Sequence, residues 1–365
     1  MKITKKVIAR LTKCYSIAPL YYHGQECILV AAEKKDPCLL FDREGNLLDT
    51  VWEGPGGTMS MVQIPGSDGM FLATQKFYSP NDSKEAEIVL AAPRQEGGWK
   101  VQTLLRLPHV HRFDILRRNQ VNYLIACTIK SGHDYRDDWT MPGKVYGAVL
   151  PKDIGAFDEE HPLTMQVIKD DLLKNHGYYR ISEAGEDSCV ICAASGIFRF
   201  CPPSVPSGKW EVERLLDIPA SDAVLVDFDG DGEKELAVLS PFHGERICIY
   251  KKRGPGWEPV YVYGKPAEFC HAIYGGPLCG RPSLIVGHRK GERNLIAFWW
   301  DESSAGYGFQ VLDEDCGPAN VFHYEKDGKD IVISANRETD EVAMYTLTRE
   351  TGGDNHVRGT ETGSI

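Results

Sequence analysis

The sequence lacks the features that would point to a membrane or to a nucleic acid. It has no long apolar run, so no membrane-spanning helix is expected. Its basic first residues, MKITKK, are not followed by the apolar stretch of a secretion signal. It has no concentrated basic patch, and its formal net charge of -11 disfavours contact with a phosphate backbone. We therefore expect no membrane partner and no nucleic-acid partner.

Several common catalytic motifs are also missing. No G-x-S-x-G turn, phosphate-binding glycine loop or dinucleotide fingerprint occurs, so serine hydrolase, kinase and simple dehydrogenase functions have no support.

Cys189 and Cys192 have C-x-x-C spacing, but no second pair completes a zinc site, and core packing is favoured. The 11 cysteines are an odd number scattered mostly in apolar segments, which is typical of buried thiols in a reducing compartment. This pattern predicts a cytoplasmic protein.

Helical periodicity is absent as well, and the chain has a faint strand repeat in its place. Short apolar strands alternate with turns, in a chain that contains 36 glycines and 21 prolines. The clearest marker is a tryptophan at the start of an alternating strand, at Trp99, Trp210 and Trp257. Seven groups of strands can be counted, about 50 residues apart, which is a spacing known for propeller blades of four antiparallel strands. The sequence therefore predicts an all-β fold, a seven-bladed β-propeller.

The two ends of the chain predict how the propeller closes. The last group of strands ends near residue 347 and runs into Gly-, Asp- and Thr-rich sequence, so its outer strand is missing. Residues 6–11 look like that outer strand, and the N-terminal strand is therefore predicted to complete the last blade. We expect a single domain over residues 1–349 and a disordered C-terminal tail over residues 350–365. A two-domain β protein is the alternative.

The most specific motif is the acidic sequence DFDGDGEKE at residues 227–235. Its carboxylates alternate with glycines that permit a tight turn, a spacing that wraps oxygen atoms around a hard cation. The flanking segments read as strands, which excludes an EF-hand, and the motif resembles the FG-GAP or VCBS-type propeller repeat. That resemblance implies a structural calcium ion held by Asp227, Asp229, Asp231 and Glu235, in the loop between the first two strands of blade five. An acidic turn without a metal is the alternative.

Seven of the 11 histidines are predicted to lie at one mouth of the propeller. Alignment of the blades places them near the starts of first strands or in the loops between second and third strands, which open on one face. They are His109, His111, His133, His176, His243, His271 and His288. Several imidazoles crowded together are best explained by metal binding or proton transfer. The acidic loop is expected on the opposite face.

The loops that contain His243 (Pro-Phe-His-Gly) and His288 (Gly-His-Arg), together with the acidic loop, resemble the propeller of aldos-2-ulose dehydratases and related sugar lyases. The resemblance implies β-elimination or enolisation next to the carbonyl of a small sugar substrate. A base would remove an acidic C–H proton, and a divalent metal or a cationic side chain would stabilise the enolate.

Neutral imidazoles suit both tasks, as ligands of zinc, manganese or nickel and as bases near neutral pH. The predicted metal ligands are His176, His243 and His271. The predicted catalytic residues are His111 or His288 as acid–base, His109 and His133 as further candidates, and Arg289 as a contact to substrate oxygens.

Two other functions stay open at this point. A non-catalytic propeller that binds a glycan or a protein is compatible with the same fold, because fold does not imply function. A glycoside hydrolase with paired carboxylates is the third possibility, since Glu33, Asp134 and Glu245 are also predicted near the mouth.

Overall fold

The computed structural model describes residues 1–349, and the tail predicted for residues 350–365 lies outside the described range. Within that range the chain forms 28 strands and one short 3-10 helix, Ile154–Ala156. The strands make seven four-stranded antiparallel sheets, and in six of them the strands follow one another along the chain. The seven blades predicted from the strand repeat are therefore confirmed.

The chain divides into two compact units. The larger unit is Leu11–Ala220, and the smaller unit combines Met1–Arg10 with the residues from Ser221 onward. The single domain expected over residues 1–349 stays a prediction.

Strands are numbered in chain order, and β1 (Lys2–Arg10) belongs to the smaller unit. The sheets of the larger unit are β2–β5 (Cys14–Tyr22, Gln25–Ala32, Cys38–Asp42, Leu47–Trp52), β6–β9 (Met61–Gln63, Phe71–Gln75, Glu87–Pro93, Trp99–Arg106), β10–β13 (Val110–Arg118, Val121–Thr128, Gly143–Val149, Gln166–Leu172) and β14–β17 (Gly177–Glu183, Glu186–Ala193, Gly196–Cys201, Glu211–Leu216). The sheets of the smaller unit are β18–β21 (Asp222–Val226, Glu235–Ser240, Arg246–Arg253, Gly256–Val262), β22–β25 (Cys270–Leu278, Arg281–His288, Leu295–Asp301, Gly306–Asp313) and β26–β28 (Pro318–Lys326, Lys329–Asn336, Glu341–Thr348), the last completed by β1.

The N-terminal strand closes the last blade as predicted. It is slightly longer than expected and pairs antiparallel with β28, in a register that sets Lys2 opposite Thr348 and Arg10 opposite Glu341. Lys5 lies 2.7 Å from Asp313 and 3.1 Å from Glu341, which ties the strand to the rest of its unit. Because β1 covers the edge of β28, the backbone groups of that edge are paired rather than exposed.

The core of each unit lies between neighbouring sheets. Middle strands such as β11 are buried over six consecutive residues, 123–128, because they are covered on both faces. In the larger unit, the ring centroid of Phe71 lies 6.0 Å from that of Trp52 and 5.8 Å from that of Trp99. The tryptophan markers lie where the repeat predicts, because Trp99 begins β9 and Trp257 lies in β21, while Trp210 directly precedes β17. Each of these is the fourth strand of its sheet.

All 11 cysteines have free thiols, and ten of them are buried. Among the described residues, no helix has the length and apolar character needed to span a membrane. The cytoplasmic location stays a prediction.

Candidate functional site

Four first strands have an extra residue at the same position. The pairing of β2, β10, β22 and β26 with the following strand shifts at Tyr15, His111, His271 and Ala319 respectively. A bulged residue interrupts the alternation of a strand and changes the direction of its side chain. His176 directly precedes β14. The predicted placement of His111, His176 and His271 near the starts of first strands is therefore confirmed. The bulge sets the direction of the side chains of His111 and His271.

In the larger unit, His111 contacts a second histidine, a phenylalanine and a hydroxyl group. Its ring centroid lies 4.6 Å from that of His176 and 5.1 Å from that of Phe77. Its Nδ1 is 3.3 Å from the carbonyl oxygen of His176, and its Nε2 is 3.4 Å from the hydroxyl of Tyr15. A carbonyl oxygen only accepts, so Nδ1 donates and Nε2 is the nitrogen that accepts from Tyr15. The structure thus brings His111 and His176 together and gives His111 a defined tautomer.

His109 and His133 form a second pair in the larger unit, with ring centroids 5.3 Å apart. The Nδ1 of His109 lies 2.7 Å from the hydroxyl of Ser83. Burial, and then the positive charges of His133, Lys130 and Lys84, lower the pKa of His109 from 6.5 to about 4. Burial also lowers the pKa of His133, with the same two lysines adding to the effect. Both imidazoles are therefore neutral near pH 7, and the nearby lysines disfavour a second positive charge here.

Lys130 is a fully buried cation that the sequence reasoning missed. Its ammonium group donates to Oδ1 of Asn81 at 2.6 Å and to the carbonyl oxygen of Asp138 at 2.8 Å, and it lies 4.2 Å from the ring centroid of Trp139. These contacts order the connection between β11 and β12, which contains His133. The signal in the sequence was a lysine two residues after the end of the apolar strand β11.

The smaller unit contains the third pair, His243 and His271. Their ring centroids lie 5.3 Å apart, and each ring has a nitrogen within 4.8 Å of one in the other. His243 lies in the loop between β19 and β20 and stacks on Phe269, at 4.2 Å between centroids. The Nδ1 of His271 lies 2.7 Å from the carbonyl oxygen of Ala319. The proton of His271 is therefore on Nδ1, and Nε2 has the lone pair.

The imidazole groups of His243 and His271 are suitable ligands for a divalent transition metal. Imidazole is a borderline ligand that suits zinc, manganese and nickel. A metal-binding histidine usually donates its other N–H to a carbonyl or a carboxylate, which is what His271 does with Ala319. His271 is buried and His243 is half-buried, so the two rings differ in their access to solvent. The third ligand predicted from the sequence, His176, belongs to the larger unit and stays a prediction.

Arg289 has an acidic partner, Glu338, that the sequence reasoning missed. The guanidinium donates to Oε1 of Glu338 from Nε at 2.9 Å and from a terminal nitrogen at 2.8 Å, and it lies 4.7 Å from the centroid of Phe269. Arg337 donates to the same oxygen at 2.8 Å. Burial opposes ionisation of Glu338, but the two arginines outweigh it and hold the pKa of Glu338 below its usual range. Two guanidinium groups on one carboxylate leave a net positive charge at this cluster, and the role of Arg289 as a contact to substrate oxygens stays a prediction.

His288, the last residue of β23, is fully buried and bonded within its own loop. Its Nδ1 lies 2.9 Å from the carbonyl oxygen of Lys290, and its Nε2 accepts the backbone N–H of Asn294 at 3.1 Å. Burial lowers its pKa. Both ring nitrogens of His288 are engaged by the backbone, which favours a structural role for this residue, and the acid–base role of His111 or His288 stays a prediction.

The acidic loop joins β18 to β19, as the motif predicts for blade five. Asp227, Asp229 and Glu235 offer oxygens within 4.8 Å of one another. The ammonium group of Lys251, however, lies 2.5 Å from Asp229, 2.6 Å from Asp231 and 2.8 Å from Glu235. Lys251 therefore occupies the centre of the carboxylate group, and the residues as arranged do not fit a calcium ion. The sequence contains a weak signal for this, a lysine that directly follows the apolar segment 247–250 of β20.

Comparisons with known proteins support the fold alone. No protein-family model matches the sequence, and the search of curated proteins finds no match. Solved structures with a similar fold include a streptogramin B lyase, at 13% identity and a TM-score of 0.53, covering 94% of this chain and 97% of that one. The Dos1 propeller is similar at 13% identity and a TM-score of 0.53, covering 89% of this chain and 77% of that one. The fold is thus a seven-bladed β-propeller in which the N-terminal strand completes the last blade.

Proposed function

We propose that this propeller is a metal-dependent carbohydrate-active lyase or dehydratase that acts on a keto-sugar or glycoside-derived substrate. The observation that carries the proposal is the His243–His271 pair, whose ring centroids lie 5.3 Å apart and whose buried member has its Nδ1 2.7 Å from the carbonyl oxygen of Ala319. Phe269 contacts both His243 and Arg289, at 4.2 Å and 4.7 Å from its ring centroid. The proposed metal-binding pair and a cationic group therefore occur in one unit.

The proposed reaction is a β-elimination. A bound zinc, manganese or nickel ion would stabilise negative charge on the carbonyl oxygen of the substrate. His243 and His271 would hold it, with His176 as the third ligand predicted from the sequence. Arg289 would hold a hydroxyl or carboxylate oxygen and so orient the sugar.

His111 would be the acid–base residue, as predicted from the sequence, and its Nε2 has the lone pair that accepts from the hydroxyl of Tyr15. The base removes the proton on the carbon next to the carbonyl, and the C–H electrons form the new C=C bond. The C–O bond at the β carbon breaks, and its oxygen leaves with a proton as water or an alcohol. The product is a conjugated enone that absorbs ultraviolet light.

The likeness to a streptogramin B lyase supports the proposal at the level of the fold. It indicates that a propeller fold can host a lyase, at an identity of 13% that transfers no residue roles.

The experiment is a metal analysis of the purified protein and of three variants. We expect a stoichiometric transition metal in the wild type, its loss in His243→Ala plus His271→Ala, and a lower content in His176→Ala. His161→Ala, whose side chain is 78% exposed, is the matched histidine control and should keep the metal. A wild type with no transition metal, or a double variant with unchanged content, would contradict the proposal. Keto-sugars and oligosaccharides are then screened for ultraviolet-absorbing elimination products.

A non-catalytic propeller that binds a glycan is the second candidate. The half-buried rings of Phe242 and Phe269 favour it, because aromatic rings on either side of His243 can stack on a sugar ring without any chemistry. Binding of an oligosaccharide that is unaffected by metal removal and gives no product would select this function.

A further inference from the structure

The acidic loop of blade five holds most of its own shape through backbone contacts. Both carboxylate oxygens of Asp227 accept loop N–H groups, from Gly230 at 2.8 Å and from Gly232 at 3.0 Å. The Oε2 of Glu235 accepts the N–H of Phe228 at 2.8 Å. The carboxylate of Asp227 is thus hydrogen-bonded to the backbone of the turn. The carboxylates that would need a cation are those of Asp229, Asp231 and Glu235.

Lys251 supplies that cation from a neighbouring strand. It projects from β20, and its side chain is only 7% exposed, while that of Glu235 is fully buried. The ammonium donates to Oδ2 of Asp229 at 2.5 Å and forms ion pairs with Asp231 and with Oε1 of Glu235. A buried carboxylate without a counter-charge carries a large desolvation cost, so Lys251 stabilises Glu235 above all.

The ammonium and a calcium ion would compete for the same oxygens. Calcium requires six to eight oxygen ligands at about 2.3–2.6 Å. The Nζ atom is within 2.8 Å of three of the carboxylates that would have to supply them. Three carboxylates surround the ammonium group at 2.5–2.8 Å and favour its positive charge. Like charges at one centre repel, which further disfavours a second cation.

We propose that Lys251 is the permanent cation of this loop, so that blade five keeps its calcium-like turn without calcium. The ammonium group replaces the ion in the geometry that the acidic motif shares with calcium-binding loops. Removal of the ammonium should then convert the loop into a functional calcium site.

The test compares Lys251→Met with Lys252→Met, its neighbour on the same strand, whose side chain is exposed. Thermal unfolding is followed in calcium chloride and in a calcium chelator. For the wild type and for Lys252→Met, we expect the Tm in calcium chloride to equal the Tm in chelator. Lys251→Met should unfold several degrees lower in chelator and regain a few degrees in millimolar calcium, because ligand binding to the folded state raises its stability. Adding Asp229→Asn to Lys251→Met should abolish the calcium response.

Two results would overturn the proposal. One is a calcium-dependent rise in the Tm of the wild type, or heat of calcium binding to the wild type in titration calorimetry. The other is a Lys251→Met variant that has the wild-type Tm and no calcium response. The calorimetric titration of the wild type needs no variant, so it decides the question even if Lys251→Met does not fold. Lys251→Gln is the second variant, with a polar side chain of similar length.

Discussion

The hydroxyl of Ser83 lies 2.7 Å from Nδ1 of His109, in the interior of the larger unit. His109 is in the left-handed region with φ +64, and the ring is surrounded by the charges of Lys130, Lys84 and, when protonated, His133. This placement holds His109 neutral in the folded state, with a pKa of about 4 against 6.5 for an exposed imidazole.

Acid should therefore destabilise the protein partly through His109. Between pH 6.5 and about 4 the unfolded chain binds a proton at this residue and the folded chain does not, so stability falls as the pH falls. We expect His109→Asn to lose stability less steeply over this window, measured as Tm against pH. His133 and His288 also have lowered pKa values, so the slope should decrease and not vanish.

His23→Asn is the control, because His23 has a similar φ of +51 but an exposed ring. Its pH profile should follow that of the wild type. Parallel profiles for all three proteins would show that His109 takes up a proton in the folded state as readily as in the unfolded chain.

Close packing in the smaller unit should make Gly287 intolerant of any side chain. A Cβ at this position would lie 2.2 Å from Cγ of Pro318 and 3.1 Å from Cβ of Ala272. Gly287→Ala should therefore lower the free energy of unfolding by about 1–3 kcal/mol, the usual cost of overpacking. Urea unfolding at pH 7 measures it. Gly256→Ala, where a Cβ meets nothing within 4 Å, should change stability by no more than about 0.5 kcal/mol. Equal stabilities of the two variants would contradict this packing.

Glu338 should stabilise the smaller unit only where it is ionised. Its pKa is lowered in the folded state from 4.5, so its contribution is fully present above the unfolded pKa and is lost as the pH falls through the folded pKa. We expect Glu338→Gln to lose about 1.5 kcal/mol at pH 7, because the charge-assisted bonds to Arg289 and Arg337 are weakened. The difference from the wild type should shrink below pH 4.

Glu302→Gln is the matched control, since Glu302 lies exposed in the turn after β24. Its stability should equal that of the wild type at both pH values. If Glu338→Gln behaves in the same way, the two arginines do not depend on this carboxylate.

Much of the fold was predictable because it depends on patterns along the chain. Alternation and the tryptophan markers identify the fourth strands, and the missing strand at residue 347 pointed to β1 as its replacement. The position of the acidic loop between β18 and β19 followed in the same way. The placement of His111, His176 and His271 near the starts of first strands was also predictable, since equivalent positions recur from blade to blade.

The partners of the site residues were not predictable in this way. They depend on register, bulges and packing between strands that are distant in the chain. Ala319 sets the tautomer of His271 through its carbonyl oxygen, and no side-chain pattern records that contact. The backbone of the same loop occupies both nitrogens of His288.

The sequence by itself determined seven blades, their closure by the N-terminal strand and the location of the acidic turn, because strand periodicity and turn chemistry are local properties. Only the tertiary structure decided what lies inside that turn. Lys251 comes 16 residues after Glu235, on another strand, and its ammonium reaches the carboxylates only because the pairing of β19 with β20 brings the two strands side by side. Packing between neighbouring sheets of the smaller unit likewise brings Glu338 to Arg289 and His243 to Phe269.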